Sequence, residues 1–268
     1  MKPEVDLYDG YYGHLGAEAQ RAVRRETYDE DLGQSSWIMA AEAREWFRLL
    51  DLSAGKDLLE VACGSGGMTC RMARDTGARC VGVDINPNGI EAAQEQARAQ
   101  NLADRVEFRL IDAGKRLPFD DASFDAIFCN DSINHIPGRA DVLKDWRRVL
   151  RPGGRLLFTD PVVVTGPVTN EEIRIRSSIG FFLFLPAGEN ERLLAGAGFT
   201  VLEVRDVSEA TASVSQRWRD ARAKRREALA EFEGEKGFDD LQKFLEAVHT
   251  LSSERRLSRF MYLAAKPA

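Results

Sequence analysis

The sequence predicts a doubly wound α/β fold, and three observations carry that expectation. Asp57-Leu58-Leu59-Glu60-Val61-Ala62-Cys63-Gly64-Ser65-Gly66-Gly67 is a short apolar run ending in a carboxylate, followed by a glycine-rich turn and a helical pattern from near Met68. Glycine lets the backbone approach a ligand closely, and a helix N-terminus offers free N–H groups and a positive dipole end. About twenty residues on, Cys80-Val81-Gly82-Val83-Asp84 is a second buried-type strand ending in an acid, which can take two ribose hydroxyls. From residue 57 to 160 strand and helix then alternate with hardly a gap. That alternation calls for a parallel sheet with its ligands at the C-terminal ends of the strands.

Residues 1–50 precede this unit. Tyr8, Tyr11 and Tyr12 cluster beside Gly10 and Gly13, and a charged helical stretch runs to Glu30. The loop Gly33–Trp37 leads, with Ser36 as N-cap, into a helix whose Met39, Ala43, Trp46, Phe47 and Leu50 share one face. After Asp84, Asn86-Pro87 supplies a cap and a first-turn proline for a helix reaching about Gln100. Val106, Phe108 and Leu110 alternate in a third strand ending at Ile111-Asp112-Ala113, and Phe124–Cys129 is the fourth. Val142, Leu143, Trp146, Val149 and Leu150 mark a helix closed by Arg151-Pro152-Gly153-Gly154; Leu156–Thr159 is the fifth strand, ending at Asp160. Beyond Pro161 the alternation lapses. A helix over Glu189–Ala197, a strand over Phe199–Val204, a helical insertion over 208–255 with Val214, Trp218 and Ala221 on one face, and a final strand Leu257–Ala265 complete the chain.

Composition narrows the class. Hydrophobic content of 44% and charged content of 30% over 268 residues are those of a soluble globule, one domain with an embellishment. A net charge of −6 argues against a general nucleic-acid binder. Cys63, Cys70, Cys80 and Cys129 form no C-x-x-C pair, and no leader or long apolar span stands out, so a cytoplasmic protein with reduced thiols and no membrane contact is expected. Three scattered histidines lack metal-ligand spacing, so no metal is expected; His14 and His249 read as surface or packing residues. The basic run Arg217, Arg219, Arg222, Lys224, Arg225 and Arg226 is followed by Glu227, Glu231, Glu233 and Glu235, and reads as a solvated, salt-bridged helix rather than a phosphate site.

Thr69 stands where a dinucleotide fingerprint has its third glycine, and Glu60 would repel a pyrophosphate, whereas it suits a cationic cofactor. The stretch resembles motif I of the class I S-adenosylmethionine-dependent methyltransferases, with Ala62 where that family often has glycine. Asp112-Ala113, Leu117-Pro118-Phe119 with Ser123-Phe124-Asp125, and Arg148–Gly154 are similar to its later motifs. The resemblance implies a Rossmann-like, seven-stranded sheet with the last strand antiparallel and a helical cap. It implies S-adenosylmethionine as cofactor, S-adenosylhomocysteine as product, and a small-molecule acceptor methylated on O, N or C. Cofactor contacts are expected from Tyr12, Gln34 and Ser36 of the N-terminal segment, and from Glu60, Ala62, Gly64, Ser65, Gly66, Asp84, Ile85, Asp112, Ala113 and Asn130. The expected division is an N-terminal segment (1–50), a core (51–207 and 256–268, with 162–186 as a cap segment) and a helical cap insertion (208–255). The layout is similar to the sugar O-methyltransferases of natural-product pathways and to glycine and sarcosine amine methyltransferases. Asn130-Asp131-Ser132-Ile133 lacks the Pro-Pro-aromatic loop of nucleic-acid adenine methyltransferases. A non-catalytic cofactor sensor or partner-dependent subunit is the alternative; a monomer or homodimer is expected.

His135, just after the fourth strand, is the candidate base, with packing beside Pro137 or helix capping as the competing reading. The related sugar enzymes carry two histidines in this loop and an acid after the fifth strand. Here Asn134 takes the first position, so the resemblance carries over only His135 and Asp160. Arg174, Arg176, Phe181, Phe182 and Phe184 are candidate acceptor contacts, although the phenylalanines equally suit anchoring of the cap.

Overall fold

Each apolar run that ends in an acid or a glycine turn becomes a strand of one sheet. The computed structural model describes residues 7–268. Its strands are β1 (Asp57–Val61), β2 (Arg79–Asp84), β3 (Val106–Leu110), β4 (Phe124–Cys129), β5 (Leu150–Val164), β6 (Leu185–Pro186), β7 (Thr200–Asp206) and β8 (Leu257–Ala265). Their order is β3-β2-β1-β4-β5-β8-β7, with the two-residue β6 beside β5. β8 runs antiparallel to both β5 and β7, and the remaining pairs are parallel. The seven-stranded sheet with an antiparallel last strand is therefore present, with one short strand added. The chain moves outward from β1 to β3 and returns to β4 on the other side of β1. This opens a crevice at the C-terminal ends of β1 and β4, the place where open α/β sheets bind ligands.

The helices are α1 (Leu7–Gly13), α2 (Glu18–Thr27), α3 (Ala40–Leu49), α4 (Gly67–Thr76), α5 (Pro87–Ala99), α6 (Arg139–Val149), α7 (Asn170–Arg176), α8 (Glu189–Gly196), α9 (Ser208–Ala223) and α10 (Arg226–Ser253). One apolar cluster joins Leu58, Phe128 and Leu157 of the sheet to Trp46 and Phe47 of α3 and Met72 of α4. Another joins Leu59, Ile127 and Phe158 to Leu143 and Trp146 of α6. A third lies outside these two: Tyr11, Val23, Tyr28 and Trp37 pack with Val214, Trp218 and Ala221 of α9 and Phe238, Phe244 and Leu245 of α10. The N-terminal segment and the two helices between β7 and β8 are thus packed against one another.

Three local expectations are corrected. Ser36 does not cap α3. The helix starts at Ala40, and the carboxylate of Asp29 accepts the N–H groups of Ala40 (2.7 Å) and Ala41 (3.0 Å) from outside the local sequence. The fifth strand begins at Leu150 rather than after Gly154, because Phe124 pairs with Leu150 and Ala126 with Arg155, so that Arg151–Gly154 bulges out within the ladder. The basic run is not one solvated helix. The chain breaks between α9 and α10, Gly234 kinks α10, and Arg222 is buried in a bidentate pair with Glu233 (2.9 and 2.6 Å). Its neighbours are also paired, Arg226 with Glu235, as expected, and with Asp239, whereas Lys224 and Arg225 pair with Glu26 of α2.

Candidate active site

The site is assembled from loops at the C-terminal ends of β1 to β4. After β1, Glu60 is buried and accepts a hydrogen bond from Thr69 Oγ1 of α4. Burial, reinforced by the nearby Asp84, pushes its carboxyl up to about 8. The glycine turn is closed by Gly66 N–H to Cys63 O (2.9 Å). Ala62 adopts a left-handed φ of +58°, the conformation in which glycine is the unstrained choice. Ala62→Gly should therefore leave the fold unchanged and stabilise it by up to about 1 kcal/mol, the relieved strain partly offset by a freer unfolded chain; a urea midpoint that falls would contradict this. Gly67 has a different role from the one expected of this turn. A Cβ there would fall on the carbonyl oxygen of Leu32, so the protein's own N-terminal loop makes the close approach.

After β2, Asp84 accepts from Gly64 N–H through Oδ2 and from Asn86 N–H through Oδ1, both at 2.8 Å. These two bonds fix the carboxylate at the mouth of the turn, where it lines the cavity. Asn86 in turn caps α5 by accepting from Gly89 N–H (3.0 Å). After β3, Asp112 accepts from Gly114 N–H (2.9 Å) and pairs with Lys115 (3.2 Å), with Ile111 and Ala113 as apolar neighbours. The N-terminal loop is stitched over this floor: Ser65 Oγ donates to Gly33 O (3.0 Å), Tyr11 donates to Gln34 O (2.9 Å), and Gln34 Oε1 accepts from Leu32 N–H (2.7 Å).

These parts enclose a cavity of about 690 Å³, a volume suited to a cofactor. Tyr12, Gln34, Ser36, Glu60, Ala62, Gly64, Ser65, Asp84, Ile85, Asp112, Ala113 and Asn130 line it, as do His135 and Phe181. Gly66 stands behind the wall, its φ of +76° and its contact with Phe108 leaving no room for a side chain.

The loop after β4 brings His135 to the cavity. His135 Nδ1 lies 2.8 Å from the carbonyl oxygen of Phe181. A carbonyl only accepts, so Nδ1 bears the proton and the neutral ring keeps its lone pair on Nε2. Nε2 lies 3.3 Å from the Tyr8 hydroxyl, which donates to it. The ring is packed edge-on against Tyr8 and Phe182. Burial, with Arg176 adding to the effect, pulls its pKa down to about 4.

Asp160 lies away from the cavity. It is fully buried, its Oδ2 accepting from Arg139 Nη1 and Asn190 Nδ2 (both 3.0 Å) and its Oδ1 from Val162 N–H (3.2 Å). These bonds make it a brace between β5, α6 and α8 and leave it no access to a ligand. Arg174 is exposed and paired with Glu171, while Phe184 stacks on Phe182 without reaching the cavity. Arg176 and Phe182 line a smaller recess that adjoins the cavity.

Sequence reading missed a buried cluster beneath the loop. Asp131, at φ +53°, accepts from Trp37 N–H (2.9 Å) and from Arg259 Nε (2.6 Å). Arg259 also donates to Asn130 Oδ1 (3.1 Å) and to Glu42 (3.0 Å). Arg259 sits inside an apolar final strand, where only its being a charge among buried residues marks it.

The residues fit a cationic nucleoside cofactor. Glu60 is a buried acid with a hydroxyl but, among the described residues, no cation paired with it, and Asp84 is a fixed acceptor at the end of β2. At neutral pH Glu60 is mostly protonated, and a bound positive charge would draw that proton off. Cofactor binding at pH 7 should therefore release up to about one proton, fading above pH 8, where the free carboxyl is already ionised. Calorimetry in buffers of different ionisation heat reads this directly; equal enthalpies would contradict it.

The chain matches the methyltransferase domain family over residues 59–158. It is 40% identical over 171 residues to the methyltransferase GfsG of Streptomyces halstedii, covering 62% of this chain and 60% of that protein. It is 32% identical over 209 residues to the 27-O-demethylrifamycin SV methyltransferase of Amycolatopsis mediterranei (strain S699), covering 77% and 71%. The fold is shared with the phosphoethanolamine N-methyltransferase 2 of Haemonchus contortus, solved with phosphomonomethylethanolamine and S-adenosylhomocysteine, at a TM-score of 0.80, 20% identity and coverage of 99% and 61%. With the motifs after β1 to β4 in place around one cavity and these relatives alongside, the chain belongs to the class I S-adenosylmethionine-dependent small-molecule methyltransferases.

Proposed function

We propose that the chain methylates a hydroxyl group of a small molecule, with His135 as the proton acceptor. The observation that carries this is the fixed tautomer: Nδ1 is tied to the Phe181 carbonyl, so Nε2 is the basic nitrogen. The rifamycin relative is a 27-O-demethylrifamycin SV methyltransferase, which supports oxygen over nitrogen. Glu60, Asp84 and Asp112, with the N-terminal loop around Gln34 and Ser36, would hold S-adenosylmethionine. That cofactor supplies a methyl group already activated on a sulfonium.

The protein's own part is alignment, exclusion of water and removal of one proton. Alignment of nucleophile and electrophile is worth up to roughly 7–11 kcal/mol in favourable cases. An acceptor hydroxyl would displace Tyr8 from Nε2 and hand its proton to that nitrogen, while the Phe181 carbonyl steadies the imidazolium that forms. The aromatic layer of α1, α9 and α10 would keep water out. The cap comprises residues 162–186 and 208–255, and the N-terminal segment (1–50) folds over the cofactor. The chain works in the cytoplasm as a monomer or homodimer, without nucleic acid. No helix among the described residues is long and apolar enough to cross a membrane.

Incubation with S-adenosylmethionine and a panel of matched alcohols and amines tests the reading. S-adenosylhomocysteine should accumulate with alcohols. Turnover of amines alone would reject the hydroxyl, and tight cofactor binding with no acceptor turned over would favour a sensor.

A further inference from the structure

Arg176, at the end of α7, is 2% exposed, yet its Nη1 has no hydrogen-bond partner and it pairs with no carboxylate among the described residues. Its guanidinium lies over Phe182 (4.7 Å), Phe244 (5.0 Å) and Trp37 (6.0 Å). The two acids nearest in effect are committed elsewhere, Asp131 to Arg259 and Asp160 to Arg139. Among the described residues, Arg176 is thus a surplus cation of this interior. Asn134 faces the same recess, fully buried, with both Oδ1 and Nδ2 lacking partners. An unpaired buried charge and an unpaired buried amide are each costly, and native structures keep such groups where something else satisfies them.

The recess has room of about 30 Å³, enough for one small polar group. It adjoins the large cavity, with Tyr8, Ser35, Asp131, His135 and Ile179 lining both. Phe182 touches both the His135 ring (4.4 Å) and the guanidinium. A group held at Arg176 would thus lie close to His135, within reach of one small molecule.

We propose that this recess is an anion subsite, and that the acceptor is a hydroxy carboxylic acid whose carboxylate sits on Arg176 and Asn134 while its hydroxyl faces His135. The inference rests on the methyl-transfer reading and names its substrate class. A carboxylate matches the planar fork of arginine and leaves one oxygen for the Asn134 amide N–H. A single cation in so small a space suits one negative charge better than a phosphate. Binding the anion would also remove the positive charge that Arg176 presents to His135, and so make His135 more basic when the acceptor is in place.

The test uses the full chain loaded with S-adenosylhomocysteine, with acetate as probe and acetamide as its neutral counterpart. Acetate should bind at least about tenfold better than acetamide, and Arg176→Met should abolish that preference while Arg176→Lys keeps part of it. Arg176→Met should not lower the melting temperature, since it removes a buried unpaired charge and keeps the apolar volume. Acetate no better than acetamide, acetate binding unchanged in Arg176→Met, or inorganic phosphate binding more tightly would each overturn the proposal. A second arm compares hydroxy acids with their methyl esters as acceptors. Methylation of the acids alone supports the subsite. Equal methylation of the esters overturns it and leaves methyl transfer standing. If no alcohol is methylated, methyl transfer to a hydroxyl falls, whereas the acetate result still reports on the recess.

Discussion

His135→Ala is expected to lower kcat by about 10²–10⁴-fold, with affinity for S-adenosylhomocysteine nearly unchanged. The alanine removes Nε2, the lone pair set against Tyr8, but leaves the turn after β1 and the Asp84 carboxylate intact. The pH profile carries the sign. Burial holds the His135 pKa near 4, so the ring stays neutral as pH falls through the ordinary histidine range, and the acid limb of kcat/KM in the wild type should lie well below 6.5. The same depression makes His135 a stabilising group above pH 6.5. That contribution is lost as pH falls towards 4, because the unfolded chain then takes up a proton that the folded chain refuses. An alanine variant with wild-type turnover and the same acid limb would remove His135 from the chemistry and leave alignment as the main catalytic factor.

Asp84→Ala should weaken S-adenosylhomocysteine binding by roughly 10- to 150-fold, the loss of about 1.5–3 kcal/mol for hydrogen bonds to a charged acceptor. Asp84 also accepts the N–H groups of Gly64 and Asn86, so alanine loosens the turn itself. Asp84→Asn is the companion variant. Its amide oxygen preserves one acceptor but gives up the charge, and it should bind with intermediate affinity at a near-native melting temperature. Calorimetry that finds both variants binding like the wild type would place the ribose elsewhere.

Most of the sheet was legible because its signals are local. β1, β2 and β4 are short apolar runs closed by an acid or a polar loop, and Asn86-Pro87 announces α5 with a side-chain cap and a first-turn proline. Much of the cavity wall was legible for the same reason, since Glu60 and Asp84 lie at the ends of β1 and β2, and Ala62, Ile85, Asp112, Ala113 and Asn130 follow a strand end closely. What was not legible depends on contacts between distant segments. Asp29 caps α3 across ten residues of loop, a partnership no spacing rule contains. Arg259, Glu42 and Asp131 come from the last strand, the third helix and the loop after β4, and only the fold brings them together. Asp160 was misjudged because position after a strand suggested access, whereas Arg139 and Asn190 close over it. Arg174 and Arg176 are two residues apart on one helix, so their side chains diverge: one reaches solvent and Glu171, the other an aromatic interior.

A crystal structure of the chain with S-adenosylhomocysteine tests the central claim most directly. The expected result is density for the ligand in the cavity at the ends of β1 to β4, with its ribose hydroxyls on Asp84 and the sulfur on the side of His135. Density elsewhere, or a ribose turned away from Asp84 at full occupancy, would contradict the account.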